Sequence, residues 1–349
     1  MRLPLVVEEL GPEWLTAALS ERFPGVRVTS IDVVEILWGT ATKIRIRPRY
    51  APGSDAGLPD ALCIKGGFRE ELRAVVGDAY CLEAEFFRHI APTLGVPLPA
   101  CWYAGSDRAS KQGIVVLDDL VDAGVRFGDP VEPWSVDLVA EALDLQAGWH
   151  ARTWGATREQ FPWLPVGTPI RVPADFLTQP AHWSRMLDVP DAQPMPAAFR
   201  DRERIRRAIF EMWRLDDTEG VPCLAHADAH IGNTYVDPKG HPRFIDWQGA
   251  CLAPALDDVS YFVTGALTVE DRRAHEQSLL RYYLDRLVAE GGPKLAFDEA
   301  WLDYRRHTVH GFLWVLTPPE MQAPVRVRAM GDRYVAALED HETLKLLGV

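Results

Sequence analysis

The side chains with the most chemistry in this chain of 349 residues stand close together, in Leu224-Ala-His-Ala-Asp-Ala-His-Ile-Gly-Asn-Thr-Tyr-Val236 and, after a Pro-Lys-Gly-His turn, in Arg243-Phe-Ile-Asp-Trp247. His226, Asp228, His230, Asn233 and Asp246 are polar groups in an otherwise apolar hairpin. A structural network satisfies one buried His or Asp, but five together need many partners for no functional return. Two chemistries compete for the cluster. On a regular strand, the i, i+2, i+4 spacing of His226, Asp228 and His230 points all three to one face, where they would bind a transition metal and suit a metal-dependent hydrolase. On a loop, Asp228 would orient an attacking hydroxyl, while Asn233 and Asp246 would offer hard oxygens suited to Mg²⁺ on nucleotide phosphates. The spacing H-x-D-x-x-x-x-N with a further Asp on a short strand matches the loop. Nothing beyond the triplet itself supports the strand.

Such a cluster needs elements to position it. Ile31–Leu37 and Lys43–Arg47 flank the turn Trp38-Gly-Thr-Ala-Thr42, and the second run alternates apolar and basic residues, which predicts a hairpin. The stretch from Pro48 to Pro59 reads as a loop, and Ala61-Leu-Cys-Ile-Lys65 as a strand closed by Gly66-Gly67. Helical periodicity follows over about 69–91, then an apolar strand Gly113–Leu117 running into Asp118-Asp119-Leu120. A small sheet with one helix results. From about 133 onward helical stripes dominate, as in 136–149, 199–213, 269–287 and 297–312. Eight prolines between Pro162 and Pro196 exclude long helices there.

Lys65 ends an apolar strand, where a lysine usually keeps its ammonium in water. Glu83 shares a helix face with Tyr80, Phe87 and Ile90 and so points toward the core. A buried carboxylate requires a cation, and Lys65 is its natural partner. Glu85 lies off that stripe and reads as solvated. Asp257 or Asp258, before an apolar run, reads as a helix N-cap holding the preceding segment. His150 in Trp149-His-Ala-Arg reads as a core histidine.

His226-x-Asp228-x-His230-x-Gly232-Asn233 with Ile245-Asp246-Trp247 resembles the catalytic motif of the aminoglycoside phosphotransferase and choline kinase group, relatives of the protein kinases. The resemblance runs over roughly 30–340. It implies an α+β, bilobal protein-kinase-like fold: a small antiparallel-sheet lobe over 1–119, a hinge, and a larger, mostly helical lobe over 120–349. It further implies ATP and Mg²⁺ as cofactors and a hydroxylated small molecule as acceptor. Asp228 would then be the base, with His230 touching the phosphoryl group or shaping the loop, and Asn233 and Asp246 would carry the metal. Gly39, Thr40 and Thr42 would line the nucleotide-covering turn, although it has one glycine only. Lys65 and Glu83 would form the phosphate clamp, and the main chain at Asp118 and Leu120 would meet the base. His230 stands where protein kinases carry a lysine, which favours a small acceptor. A non-catalytic nucleotide-binding protein of the same fold is the remaining rival, against which every expected polar position is occupied.

The regions that would hold the acceptor contain Trp154, Phe161, Trp163, Phe176, Trp183, Met186, Trp301, Tyr304, Phe312 and Trp314 but few acids, namely Asp175, Asp188 and Asp191 in the insert. A polycationic aminoglycoside would call for clustered acids. An acceptor with an apolar body, such as a terpenoid, steroid, macrolide or aryl alcohol, fits better. Glu83 before Phe86-Phe87 and the pair Tyr282-Tyr283 also resemble the ecdysteroid-kinase-like branch.

Composition narrows the classes further. With 37 Lys+Arg against 50 Asp+Glu the net charge is −13, a field that repels nucleic acid and anionic membranes. Hydrophobic residues at 47% and charged residues at 25% describe a chain with ample core material. The five cysteines are scattered without a C-x-x-C pair and read as reduced core residues. No apolar run approaches the roughly 18 residues of a membrane span, and the opening MRLPLVVEEL is unlike a signal peptide. The protein is therefore expected in the cytoplasm, with no obligate protein partner evident.

Overall fold

The hairpin around Trp38 to Thr42 forms in the computed structural model, which describes residues 1–54, 57–188 and 192–349. The chain divides into two compact units, Met1–Arg126 with Ile245–Gly249, and Phe127–Phe244 with Ala250–Val349. The expected boundary at 119 falls at the end of the last long strand of the first unit, which continues to Arg126 and takes in Ile245–Gly249 as well.

The first unit holds α1 (Pro12–Ser20), β1 (Val28–Leu37), β2 (Thr42–Tyr50), β3 (Leu62–Gly66), α2 (Glu70–Glu85), α3 (Ala91–Leu94), β4 (Cys101–Asp107) and β5 (Gln112–Asp118). Its five strands form one antiparallel sheet in the order β1-β2-β3-β5-β4. Period-2 alternation sorts β2 and β3 by face. Ile44, Ile46, Leu62 and Ile64 pack with Leu15, Ala18 and Leu19 of α1, while Lys43, Arg45, Cys63 and Lys65 share the other face. β2 runs through Pro48 to Tyr50, further than its sequence pattern suggested. Its pairing with β3 ends at Ile46, so the missing proline N–H interrupts no bond on that side. β4 was not legible in sequence because Cys101-Trp-Tyr-Ala-Gly-Ser-Asp ends in small and polar residues.

α2 lies close against β5. A Cβ at Gly113 would stand 1.9 Å from the Tyr80 carbonyl oxygen, so only glycine permits this approach. Glu85 is buried rather than solvated: Arg108 grips it at 2.7 Å and Ser106 donates to it at 3.1 Å.

The short β6 (Arg126–Phe127) stands at the boundary between the units. The second unit is mostly helical, with α4 (Val136–Arg152), α5 (Arg171–Leu177), α6 (Pro180–Leu187), α7 (Arg202–Glu219), β7 (Pro222–Ala225), β8 (Thr234–Val236), β9 (Pro242–Phe244) and β10 (Cys251–Pro254). There follow α8 (Ala255–Ala266), α9 (Val269–Ala289), α10 (Phe297–His307), a 3₁₀ stretch Thr308–Leu316, α11 (Pro324–Asp340) and α12 (Thr343–Leu346). Side-chain caps start three of the helices: Ser135 for α4, Asp201 for α7 and Thr268 for α9. As the prolines required, the insert contains only the short helices α5 and α6. α8 is buried along its whole length and makes the floor of this unit. The architecture is α+β, a five-stranded antiparallel sheet followed by a mostly helical region.

Candidate functional site

In the first unit, the apolar run that makes β3 carries Lys65 inward, and the apolar stripe of α2 carries Glu83 to meet it. Lys65 Nζ lies 2.7 Å from Glu83 Oε1 and 2.9 Å from Asp246 Oδ1. The Lys65 and Glu83 side chains are 5% exposed, whereas Asp246 keeps 28% of its surface open. Burial alone would strip the proton from Lys65, but the charges of Asp246 and Glu83 outweigh it and hold the ammonium above its ordinary range. Burial pushes the Glu83 carboxyl up, against the pull of Lys65. Asp246 takes a left-handed backbone, φ 67°, uncommon for a residue with a Cβ. The next residue holds it there: the Trp247 ring is fully buried and stacks on Phe86 at 4.1 Å between centroids. A partly exposed carboxylate beside a fixed ammonium fits the hard-oxygen ligand that Mg²⁺ requires.

The turn between β1 and β2 leaves Gly39 and Thr40 exposed and Thr42 buried. The Tyr80 hydroxyl on α2 donates to the Thr40 carbonyl and ties the turn to the Glu83 helix. At the end of β5, the Asp118 carboxylate accepts from Trp102 Nε1 at 2.8 Å, and the Leu120 carbonyl accepts from the Val125 N–H at 3.3 Å. Asp119 takes both Arg45 Nε and the N–H groups of Val121 and Asp122. The side chains of Asp118 and Asp119 therefore shape this segment.

In the second unit the chain leaves β7 at Ala225 and turns sharply, with Ala227 at φ 61°. Asp258 of α8 accepts the N–H groups of His226 at 2.7 Å and Ala227 at 2.8 Å, and His150 backs the same carboxylate at 3.3 Å. His150 is wholly buried, and Tyr283 satisfies its other nitrogen at 2.9 Å. The expected holding role of Asp258 is present, but not as a helix cap. α8 is capped at Pro254 without a side-chain bond, and Asp257 and Asp258 lie inside its first turn.

This staple presents Asp228 outward, its side chain 53% exposed. Asn233 Nδ2 donates to Asp228 Oδ2 at 2.9 Å and to the Asp228 carbonyl at 3.0 Å, which turns the amide oxygen away as a neutral hard donor suited to Mg²⁺. His230 Nδ1 accepts the Gly232 N–H at 3.0 Å, and its Nε2 lies 3.7 Å from Asp228 Oδ1. The metal-triplet reading loses its premise here. Residues 226–230 form no regular strand, His226 is fully buried, and among the described residues no group of three or more His, Cys, Asp and Glu is arranged to hold a metal.

Two aromatic residues stand behind Asp228: Trp314, expected in the region that would hold the acceptor, and Tyr261, which went unassigned in the sequence. Trp314 Nε1 donates to the Tyr261 hydroxyl at 2.7 Å, so the phenol oxygen is an acceptor there and its own proton turns elsewhere. Its hydrogen-bonding and charge partner is Asp228; burial and that negative charge hold the phenol well above its ordinary pKa. His230 packs edge-on against both rings, 6.2 Å from Tyr261 and 5.0 Å from Trp314. The one signal for Tyr261 was its place one turn after Asp258 on the same helix.

The remaining aromatics divide as well. Trp183, Tyr304 and Phe312 are core, with Trp183 and Phe312 stacked at 5.9 Å. A cleft of about 590 Å³ opens beside the 3₁₀ stretch and α11, lined by Met186, Val315, Val325, Gln193, Arg185 and Arg328 among others. Among the described residues no acid lines it. Asp175 is engaged by Arg206 at 3.3 Å, and Asp191 lies outside the described residues. No described helix is long and apolar enough to cross a membrane.

Comparison with known structures supports the fold. The GDP complex of aminoglycoside 2'-phosphotransferase-IIIa superposes with a TM-score of 0.51 at 12% identity, covering 95% of this chain and 98% of that one. Choline kinase LicA from Streptococcus pneumoniae does so with a TM-score of 0.52 at 14% identity, again covering 95% and 98%. A search of curated proteins finds no significant match. The sequence profile of the APH phosphotransferase enzyme family matches residues 78–298, a span that holds Glu83, Asp228, Asn233 and Asp246. With that match and a protein-kinase-like α+β fold, the chain belongs to the APH phosphotransferase family of small-molecule kinases.

Proposed function

We propose that this protein transfers the terminal phosphoryl group of ATP to a hydroxyl of a small molecule with an apolar body, such as a terpenoid, steroid, macrolide or aryl alcohol. The observation that carries the reading is Lys65, buried and charged between Glu83 and Asp246. A stability role alone explains such a pair poorly, because buried ion pairs seldom beat apolar packing. Phosphate binding explains both the fixed ammonium and the half-open carboxylate beside it. The names of the structural neighbours, one an aminoglycoside phosphotransferase bound to GDP and one a choline kinase, agree with a nucleotide donor and a small acceptor.

In this reading Lys65 holds the nucleotide phosphates and Glu83 keeps its ammonium in place. Asp246 and Asn233 would supply oxygens to Mg²⁺, which would neutralise charge on the phosphates. The bond between the terminal phosphorus and the bridging oxygen breaks as the acceptor oxygen bonds to phosphorus. The acceptor proton goes to Asp228, and the nucleoside diphosphate leaves. Asn233 fixes the Asp228 carboxylate for that transfer at 2.9 Å. The largely apolar cleft, in which no described residue is an acid, favours an apolar acceptor over a polycationic aminoglycoside.

The test is a screen of hydroxylated small molecules for acceptor-dependent nucleotide consumption, repeated with Asp228→Asn. The variant should lose about 10²–10⁴-fold in kcat while its Kd for a non-hydrolysable ATP analogue stays put. Undiminished turnover in Asp228→Asn would remove this residue from the mechanism. Turnover confined to aminoglycosides would overturn the acceptor class.

A further inference from the structure

Lys43 stands directly opposite Lys65 in the β2–β3 ladder, flanked by Thr42↔Gly66 and Ile44↔Ile64. Directly paired residues of an antiparallel ladder project to the same face, with Cβ atoms roughly 5 Å apart. Two lysines so placed put two ammonium groups on one patch of the sheet, next to Glu83 and Asp246. The other basic residues of β2 have acids of their own: Arg45 is paired with Glu35 and Asp119, Arg47 with Asp122, and Arg49 with Asp32. Among the described residues no carboxylate forms an ion pair with Lys43. It is nonetheless half-buried, and its charge reaches Glu83 and Cys63.

The charges on that face leave room for an anion only when Lys43 is counted. The ammonium of Lys65 is already shared between two carboxylates, so Lys65, Glu83 and Asp246 together sum to about −1 with all three ionised. That trio on its own is a poor receptor for a polyphosphate of charge about −4, even with one Mg²⁺ bound. Lys43 on the same face brings that sum to about zero and so removes the net repulsion of an anion.

We propose that Lys43 is a second phosphate-binding lysine, one that meets the phosphates of a nucleoside triphosphate lying against this face. This rests on the kinase reading above and assigns a specificity role within it, favouring triphosphate over diphosphate. Lys43 binds the more highly charged end of the nucleotide, while Lys65 stays committed to its two carboxylates. The turn that precedes Lys43 is fastened to α2 through Tyr80 and the Thr40 carbonyl, so the start of β2 is held in place without the ligand.

The experiment measures ATP and ADP binding, each with Mg²⁺, by calorimetry on the wild-type chain and on Lys43→Gln and Lys43→Arg, alongside the melting temperature without nucleotide. Lys43→Gln should weaken ATP at least about tenfold and ADP distinctly less, with the nucleotide-free melting temperature little changed. Lys43→Arg should keep most of the ATP affinity. Equal ATP affinity in the wild type and Lys43→Gln would overturn the proposal while leaving the kinase reading intact. A parallel loss of ATP and ADP affinity together with a lower melting temperature would show Lys43 to be structural and also overturn it. A wild-type chain that binds neither nucleotide would overturn the kinase reading itself.

Discussion

Replacing Lys65 by Met removes a cation that pairs with two carboxylates, Glu83 and Asp246. Glu83 is 5% exposed and cannot turn to water, so it must take up a proton or remain as a buried charge. Breaking a buried pair from one side costs about 3–5 kcal/mol. Glu83→Gln is a different perturbation at the same contact. Lys65 keeps Asp246 at 2.9 Å, and the amide still offers Lys65 an oxygen, so the loss is that of one charge-assisted hydrogen bond, about 1.5–3 kcal/mol. The order Lys65→Met worse than Glu83→Gln follows from the second carboxylate. The double variant Lys65→Met/Glu83→Leu leaves no buried charge at the contact and should recover much of the loss, giving a coupling of about 1–3 kcal/mol. Urea unfolding of five proteins, the wild type, Lys65→Met, Glu83→Gln, Glu83→Leu and the double variant, followed by tryptophan fluorescence and circular dichroism, measures all of this. Additive losses, or a Glu83→Gln variant less stable than Lys65→Met, would refute the picture of one cation serving two acids.

Asp258→Ala should destabilise the protein by about 3 kcal/mol and slow turnover, because two buried N–H groups, of His226 and Ala227, lose their acceptor; melting curves and kcat on one preparation check both. Tyr261→Phe should lower kcat and raise the pH at which the acid limb of the kcat/KM profile falls, since Asp228 loses a hydrogen bond to its ionised form; an unshifted profile with a lowered melting temperature would leave Tyr261 a merely structural role. His307, 2.9 Å from Asp216, is raised to about 10: burial would lower it, but the charge of Asp216 and its hydrogen bond prevail. A raised folded-state pKa contributes stability that is whole below the unfolded value near 6.5 and fades as pH climbs toward 10. Melting temperature should therefore fall between pH 7 and 10 in the wild type and fall less in His307→Gln.

Local pattern was enough to read part of this molecule. Alternation along β2 and the apolar run of β3 announced the hairpin and the inward course toward Lys65, and the stripe Tyr80-Glu83-Phe87-Ile90 announced that Glu83 would be buried. These signals are legible because each is a periodicity within one element, set by which face the element buries. Asp228 and Asn233, which the motif sets within one short stretch of chain, meet at 2.9 Å for the same reason.

Long-range pairing is another matter. Glu85 looked solvated because its helix position says nothing of Arg108, which reaches it from beyond β4. Asp258 looked like a cap because its partners, the N–H groups of His226 and Ala227, are far away in sequence. Neither the left-handed turn at Ala227, which dissolves the metal triplet, nor the return of Ile245–Gly249 to the first unit leaves any trace in periodicity. The sequence by itself determined which side chains were available and which faces were apolar, since both follow from local chemistry. Only the tertiary structure decided which acid meets which base, because a buried charge is matched by whatever partner packing brings within about 3 Å, at any separation along the chain.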